Sequence, residues 1–303
     1  MKYKFNKLVV VFFLLSFSTT LLADSAIVDG LWLIKNTNKP NLVVVDIQSK
    51  DFYRQFHVPG AVNLTYSMWR TDNKSKQPGN ILPLKKLTTL LGQNGISEKN
   101  NIIIVATGTG AGDMAAAARV FWTLKVLGHK HVSILDGGLA SYANVHKGAL
   151  SNQPVTRAAT TYKATPNYDI VADIDTTLKA VKSKSMLLDA RSRGEFVGVV
   201  QGGKDERPGT IPGAKNLPFD WITINQSGTL RDKKQIKLLF ESIYAETSNN
   251  TIHFCHSGNR AALTWFVDYA VLGHKKAKLY DASMMEWAID KSKSIDLIFP
   301  LNK

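Results

Sequence analysis

The chain has 303 residues, 38 lysines and arginines against 24 acidic residues for a formal charge of +14, and a single cysteine. One cysteine excludes an internally disulfide-stapled fold and a Cys/Cys metal site within one chain, and the seven histidines (His57, His129, His131, His146, His253, His256, His274) show no metal-ligand spacing and read as surface or loop residues. The basic excess is dispersed rather than gathered into arginine-rich stretches with interleaved aromatics, which favours steering of small anionic substrates over nucleic-acid binding.

Met1 to Ala23 carries Lys2, Lys4 and Lys7, an apolar run from Leu8 to Phe17 and Ser-Thr-Thr-Leu-Leu-Ala at its end, the pattern of a secretory signal peptide cleaved after Ala23. The run is well short of the roughly 20 residues a bilayer span needs. A periplasmic or secreted protein with no stable membrane anchor is expected. Removing 23 residues and three lysines leaves 280 residues and a charge of +11, enough chain for two domains that each bury a core.

In the first half, Leu42-Val-Val-Val-Asp46 reads as a buried strand and is followed by Phe52 to Leu64 with Pro-Gly-Ala-Val-Asn-Leu at its end. Lys85–Leu91 reads as a helix, Ile102–Ala106 as a strand, Met114–Leu127 as a helix and Ile134–Asp136 as a strand. The second half repeats the series. Met186–Asp189 leads to Thr210-Ile-Pro-Gly-Ala-Lys-Asn-Leu217, with helices over Thr176–Lys182, Lys233–Tyr244 and Arg260–Leu272. Thr251–Cys255 matches Ile102–Ala106, and Val271-Leu-Gly-His274 matches Val126-Leu-Gly-His129. Lys147 to Tyr168, rich in Ser, Thr, Ala and Pro, reads as a linker. The expected organisation is a leader over 1–23, a first domain over 24–146, a linker over 147–168 and a second domain over 169–303, each domain α/β with a mostly parallel central sheet flanked by helices. The Gly-rich loop Thr107–Asp113 lacks the Lys-Ser/Thr of a phosphate cradle and reads as a shaper of the domain interface.

Cys255 ends a strand and opens the loop His256-Ser257-Gly258-Asn259-Arg260 onto a helix start. Unpaired N–H groups and the positive end of the helix dipole there favour an anion, either a thiolate or a bound oxyanion. A core cysteine needs no polar, Gly-containing loop behind it, so a nucleophile is the reading.

These residues resemble the rhodanese family of sulfurtransferases in its two-domain form. The likeness rests on the Pro-Gly-Ala-x-Asn-Leu segment in each half, on Asp189-Ala-Arg191 with Glu195-Phe-Val-Gly198, and on the cysteine loop before a helix. It implies two tandem rhodanese-like domains, the first catalytically silent, in keeping with Ala106 at the strand position of Cys255. It also implies a ping-pong reaction in which Cys255 takes the sulfane sulfur of thiosulfate as a persulfide and passes it to cyanide or a thiol, with 3-mercaptopyruvate as the alternative donor. No cofactor or metal is implied. The partners are a small anionic sulfur donor, a thiophilic acceptor and, alternatively, a protein in a persulfide relay.

Substrate binding is expected from the loop His256, Ser257, Gly258 and Asn259, whose amides would hold the extra sulfur, and from Arg260 facing the donor's oxygens. Arg191 has two readings, substrate contact or pairing with Asp189 or Glu195. Asp189 is expected to fix its turn, Arg207 to reach the cleft, and Trp69 and Trp221 to line the cleft or fill the core. Asp281-Ala-Ser-Met-Met-Glu-Trp287 replaces the family's Asp-Gly-Gly/Ser and is expected to alter how the last strand packs. A dual-specificity phosphatase would place five residues between Cys and Arg, and four separate Cys255 from Arg260. A redox thiol enzyme would need a resolving thiol from elsewhere.

Overall fold

The computed structural model describes residues 25–71, 80–243 and 250–299; the leader read over 1–23 and its cleavage site lie outside them. Leu42–Asp46 and Asn101–Val105 lack polar alternation, as strands do when both faces are covered, and all but Asn101 are buried. They pair in parallel, Val44 opposite Ile103, at the centre of a five-stranded sheet. Its strands are β1 (Ile27–Val28), β2 (Leu42–Asp46), β3 (Val62–Asn63), β4 (Asn101–Val105) and β5 (Val132–Leu135), in the order β1-β5-β4-β2-β3. In the second half, β6 (Val171–Ala172), β7 (Leu187–Asp189), β8 (Lys215–Asn216), β9 (Ile252–Phe254) and β10 (Lys278–Tyr280) form a parallel sheet ordered β6-β10-β9-β7-β8. The two halves share one topology, so the molecule is two tandem parallel-sheet α/β domains.

Parallel neighbours need crossover connections, and helices supply most of them. The first half holds α1 (Gly30–Asn36), α2 (Lys50–Gln55), α3 (Leu84–Gln93), α4 (Ala111–Val126) and α5 (Gly138–Asn144). The second holds α6 (Ile174–Lys182), α7 (Arg193–Val197), α8 (Lys233–Ile243), α9 (Asn259–Phe266) and α10 (Ser283–Trp287). The repeat extends to the caps. Asp29 and Asp173 accept from the third residue beyond them at α1 and α6, and Ser49 and Ser192 do so at α2 and α7.

It also extends to the strand ends. Asn63 Nδ2 donates to the carbonyls of Asp46 and Gln48, and Asn216 Nδ2 donates to those of Asp189 and Arg191. The asparagine of each Pro-Gly-Ala-x-Asn segment therefore staples the turn after β2 or β7.

The halves join through α4 and α9, which pack along one another. Ala115, Ala117 and Ala118 let the backbones approach, and Phe121 sets its edge on Phe266, ring centroids 4.8 Å apart at 78°. A single buried cluster runs from Val43 and Ile104 through Phe121 to Trp265 and Leu279. Each outer sheet face has a cluster of its own, around Tyr53 and Leu139 in the first half and Phe196 and Trp287 in the second.

Residues 147–168 run over the first half without forming a helix. Ser151 bridges His57, Thr160 N–H donates to Gly92 O, and Thr165 N–H donates to Leu127 O. The Gly-rich loop does meet the other half: Gly108 lies against Gly228, and Gly137 N–H donates to Gly228 O.

Three expectations change. The helix read from Arg260 to Leu272 is α-helical only to Phe266 and widens into a π-type turn over Val267–Leu272. Within that turn, buried Asp268 accepts from His253 Nε2 at 2.9 Å and from His274 Nδ1 at 2.6 Å. His57, His129 and His253 are buried rather than superficial. Their rings bridge groups distant in sequence, as when His129 joins Tyr162 Oη to Asn100 O, and burial pushes His129 down to about 4. Trp69 is core, its indole N–H on Leu64 O, whereas Trp221 is 50% exposed.

Because Phe121 belongs to a core shared by both halves, Phe121→Ala should cost about 3–5 kcal/mol. Urea unfolding followed by tryptophan fluorescence and by circular dichroism should show the two signals moving together. Separate transitions would mean that the halves are independent.

Candidate active site

Cys255 lies just past the carboxyl end of β9, where open parallel sheets place their ligands, and is 1% exposed. Residues His256–Gly258 turn the chain, and α9 starts at Asn259 with Gly258 as its cap at φ 74°. Gly258 sits against Asp281 and Arg119. A Cβ there would come within 2.6 Å of Asp281 O and would also meet Arg119 Nη1. Both the positive φ and the lack of room require glycine.

The loop is held by the segment after β10. Ser283 Oγ accepts from the amides of Cys255 (3.1 Å) and Gly258 (3.2 Å) while donating to Tyr280 O (2.7 Å). Met284 N–H donates to Cys255 O and Met285 N–H to His256 O. In the first half, Leu139 and Ala140 make the same two bonds to Ala106 and Thr107. Ser283 adopts φ 56°, the value of Gly138 at the corresponding place. The expected change in packing after the last strand is thus absent: Ser283 accepts the left-handed backbone, and its hydroxyl adds three bonds that glycine lacks.

One consequence corrects the amide reading. The Gly258 N–H is engaged by Ser283, so it does not point at a bound sulfur. The N–H groups of His256, Ser257, Asn259 and Arg260 have no protein acceptor among the described residues. These four are the N–H groups of the loop still able to donate to a ligand.

The arginines are more constrained than their sequence positions suggest. Arg260 donates from Nη1 and Nη2 to the two carboxylate oxygens of Glu195, at 2.7 and 2.8 Å. Glu195 in turn completes the capping box of α7 with Ser192. Burial works to raise the Glu195 carboxyl, but the Arg260 hydrogen bonds and charge outweigh it and hold Glu195 at about 2. Burial opposes the charge on Arg260, yet Glu195 and the nearby Cys255 raise it above its usual value.

Arg191, 3% exposed, takes the structural of its two readings: Nε and Nη2 bind Asp189, and Nη2 also reaches Gly209 O. Asp189 fixes its turn through Arg191 N–H and Thr210 Oγ1. Arg207 does not reach the cleft. It donates to the carbonyls of Trp287, Ala288, Asp290 and Lys293, because a guanidinium fork suits a cluster of carbonyls at a chain turn.

Several residues that sequence reading passed over complete the site. Tyr66 Oη donates to Asn259 Oδ1 at 2.5 Å and accepts from Arg70 Nη1 at 2.9 Å, so the first half grips the cysteine loop. Burial raises the Tyr66 hydroxyl; Arg119 and Arg70 oppose that, while the charge on Cys255 adds to it. Arg119, buried inside α4 and stacked 4.7 Å from Trp122, pairs with Asp281, whose other oxygen accepts from Ile81 N–H at 2.8 Å. His256 Nε2 lies 2.7 Å from Glu206 Oε1. The one sequence signal for any of these is Arg119, a charge within an apolar run; Tyr66, Arg70, Glu206 and Ser283 carry none.

Comparison with known proteins agrees with this layout. Residues 30–145 and 173–290 each match the model of the rhodanese-like domain. A Mycobacterium tuberculosis protein named "Putative thiosulfate sulfurtransferase" is 32% identical over 269 residues, covering 86% of this chain and 94% of its own. One of the same name from Mycolicibacterium smegmatis is 31% identical over 264 residues, covering 84% and 92%. Among solved structures, the 3-mercaptopyruvate enzyme SseA of Escherichia coli superposes with a TM-score of 0.74 at 25% identity, covering 86% of this chain and 98% of its own. The Tum1 protein of Saccharomyces cerevisiae superposes with 0.75 at 19% identity, covering 90% and 99%, and speaks for the fold alone.

Gly258→Ala should destabilise the protein by about 2 kcal/mol or more and lower activity more than 100-fold by displacing the loop, measured by urea unfolding and by turnover on thiosulfate. The Glu195 carboxyl is depressed from 4.5 to about 2, so the stability it contributes is present above pH 4.5 and is lost as pH falls through 2. A shift of that size corresponds to about 3 kcal/mol. The unfolding free-energy gap between wild type and Arg260→Gln should therefore be widest near pH 7 and narrow steadily below pH 4.5; a pH-independent gap contradicts the pairing.

Proposed function

The chain belongs to the rhodanese family, and from that premise and the Cys255 loop we propose that it is a sulfurtransferase carrying sulfane sulfur from thiosulfate to a thiol or cyanide. The observation that carries this reading is a lone cysteine at the end of β9, directly before a loop whose His256, Ser257, Asn259 and Arg260 N–H groups have no protein acceptor among the described residues, with Ala106 at the matching position of the first half. The Cys255 thiolate attacks the outer sulfur of thiosulfate. The donor's S–S bond breaks, sulfite leaves with the bonding pair, and a persulfide remains on Cys255. The acceptor then attacks that outer sulfur and returns the thiolate, which requires no cofactor.

The amides of His256, Ser257, Asn259 and Arg260 are the donors assigned to the bound sulfur and the donor's oxygens. Arg260 retains N–H groups beyond the two given to Glu195 and adds charge beside the nucleophile. Cys255 is the catalytic residue; Gly258 shapes the loop, and Arg191 supports it through Asp189. Thiosulfate is favoured by the names of the curated relatives and by the charge of +11 that remains without the leader's three lysines. The Ser257-Gly258 loop and the likeness to SseA favour 3-mercaptopyruvate as a second donor. The leader pattern of residues 1–23 supports action in the periplasm or outside the cell, on small donors or a partner protein's thiol.

Intact mass before and after thiosulfate tests the reading. Wild type should gain one sulfur, about 32 Da, on Cys255 and lose it to cyanide, as expected of covalent catalysis. Cys255→Ser should gain nothing while keeping its unfolding curve. Loading by 3-mercaptopyruvate alone would change the donor, and loading by neither would overturn the enzyme.

A further inference from the structure

Nine residues lie between Ser49 and Pro59 in the first half, and nineteen between the matching Ser192 and Pro212 in the second. The added length forms the segment Gly198–Gly209, which is firmly tied down. Arg207 fastens one end to carbonyls of the 287–293 segment. Gln201 Nε2 donates to the carbonyls of Gly203, Lys204 and Glu206. This frame holds the Glu206 side chain at 8% exposure against His256, the residue after the nucleophile.

Burying a carboxylate is costly unless it is paired. The one hydrogen-bond partner of the Glu206 carboxylate among the described residues is His256 Nε2, at 2.7 Å. Two glycines close over the pair. A Cβ on Gly202 would come 2.5 Å from Glu206 Oε2 and 3.0 Å from His256 Cδ2, and one on Gly203 would come 2.7 Å from Glu206 Oε1. With Nε2–H directed at Glu206, the neutral ring has its lone pair on Nδ1, and 29% of the His256 side chain is open to solvent.

From this arrangement, and resting on the sulfurtransferase reading, we propose that His256 is the general base for thiol acceptors in the second half-reaction and that Glu206 is its positioning residue. An ordinary thiol, with a pKa of about 8.5, is mostly protonated at neutral pH and must lose that proton to attack. His256 Nδ1 takes it, and Glu206 stabilises the imidazolium that forms. The acceptor thiolate bonds to the outer sulfur of the Cys255 persulfide, and the persulfide S–S bond breaks with its electron pair kept by Cys255 Sγ. The acceptor leaves as a persulfide and Cys255 as a thiolate. The acceptor sulfur is oxidised and the enzyme persulfide reduced, with no further reagent. Sulfite attacks as its anion and makes no use of the base.

The test separates the two acceptors. Protein loaded with sulfur from thiosulfate and freed of excess donor is mixed with 2-mercaptoethanol or with sulfite, and loss of the added mass is timed. Glu206→Gln should slow discharge to 2-mercaptoethanol about 10²-fold more than discharge to sulfite, the low end of what general base catalysis contributes. His256→Ala should do the same, and Glu206→Asp should recover part of the loss. Gly202→Ala, which leaves both reacting groups in place but displaces the carboxylate, should reproduce the selective loss. Parallel slowing with both acceptors, or none with either, overturns the relay while leaving the sulfurtransferase intact. Wild type that takes up no sulfur from thiosulfate or 3-mercaptopyruvate overturns both.

Discussion

The packing of α4 on α9 is the constraint on which the rest of the molecule depends. It merges the two inner cores into one, and so places first-half side chains against a second-half loop. Arg119 reaches Asp281 and Gly258 from within α4, and Tyr66 reaches Asn259 from the turn after β3. The cysteine loop is closed from one side by its own domain, through Ser283 and the start of α10, and from the other by the first domain. A domain without its own nucleophile is therefore part of the wall that shapes the nucleophile's surroundings.

Duplication followed by divergence is visible atom by atom. The clamp on Ala106 and Thr107 is the clamp on Cys255 and His256. Gln48 binds Asp46 as Arg191 binds Asp189. Burial raises Asp46 to about 6 against the Gln48 hydrogen bonds, since an amide offers it no formal charge. Replacing that amide by a guanidinium gives Asp189 a cation to pair with. What separates the cysteine-bearing half is a small set of additions: the thiol, the Ser283 hydroxyl on its loop, and the Gly198–Gly209 segment carrying Glu206.

Electrostatics near Cys255 is governed by pairing more than by net charge. Arg260, Arg191 and Arg119 meet Glu195, Asp189 and Asp281 at short range. These pairs orient the guanidinium groups and lock the turns they bridge, while the N–H groups of His256, Ser257, Asn259 and Arg260 have no protein acceptor among the described residues. A buried ion pair contributes little net stability unless its geometry is good; here the geometry is bidentate for Arg260 and Arg191, which suits a site that must keep its shape while sulfur arrives and leaves.

The sequence by itself determined the strand runs, the duplication, the order of the elements and the place of Cys255, because these depend on local patterning: unbroken apolar runs, turn residues and a Gly-containing loop before an apolar helix. Family likeness followed from the same short segments. The partners of the charged residues were decided only by the tertiary structure. Whether Arg260 meets a donor or Glu195, and whether Arg191 faces the cleft or Asp189, depends on how α7 and the β8 connection fold back over the sheet. Tyr66 and Asn259 are 193 residues apart, and Glu206 and His256 are 50 apart. Nothing in either local stretch encodes such a meeting, since a side chain's partner is fixed by where packing brings the backbone rather than by its neighbours along the chain. The buried histidines were misread for the same reason: imidazole is tolerated inside only where both ring nitrogens find partners, and groups such as Gln153 O for His57 and Tyr162 Oη for His129 reach them only in the folded chain.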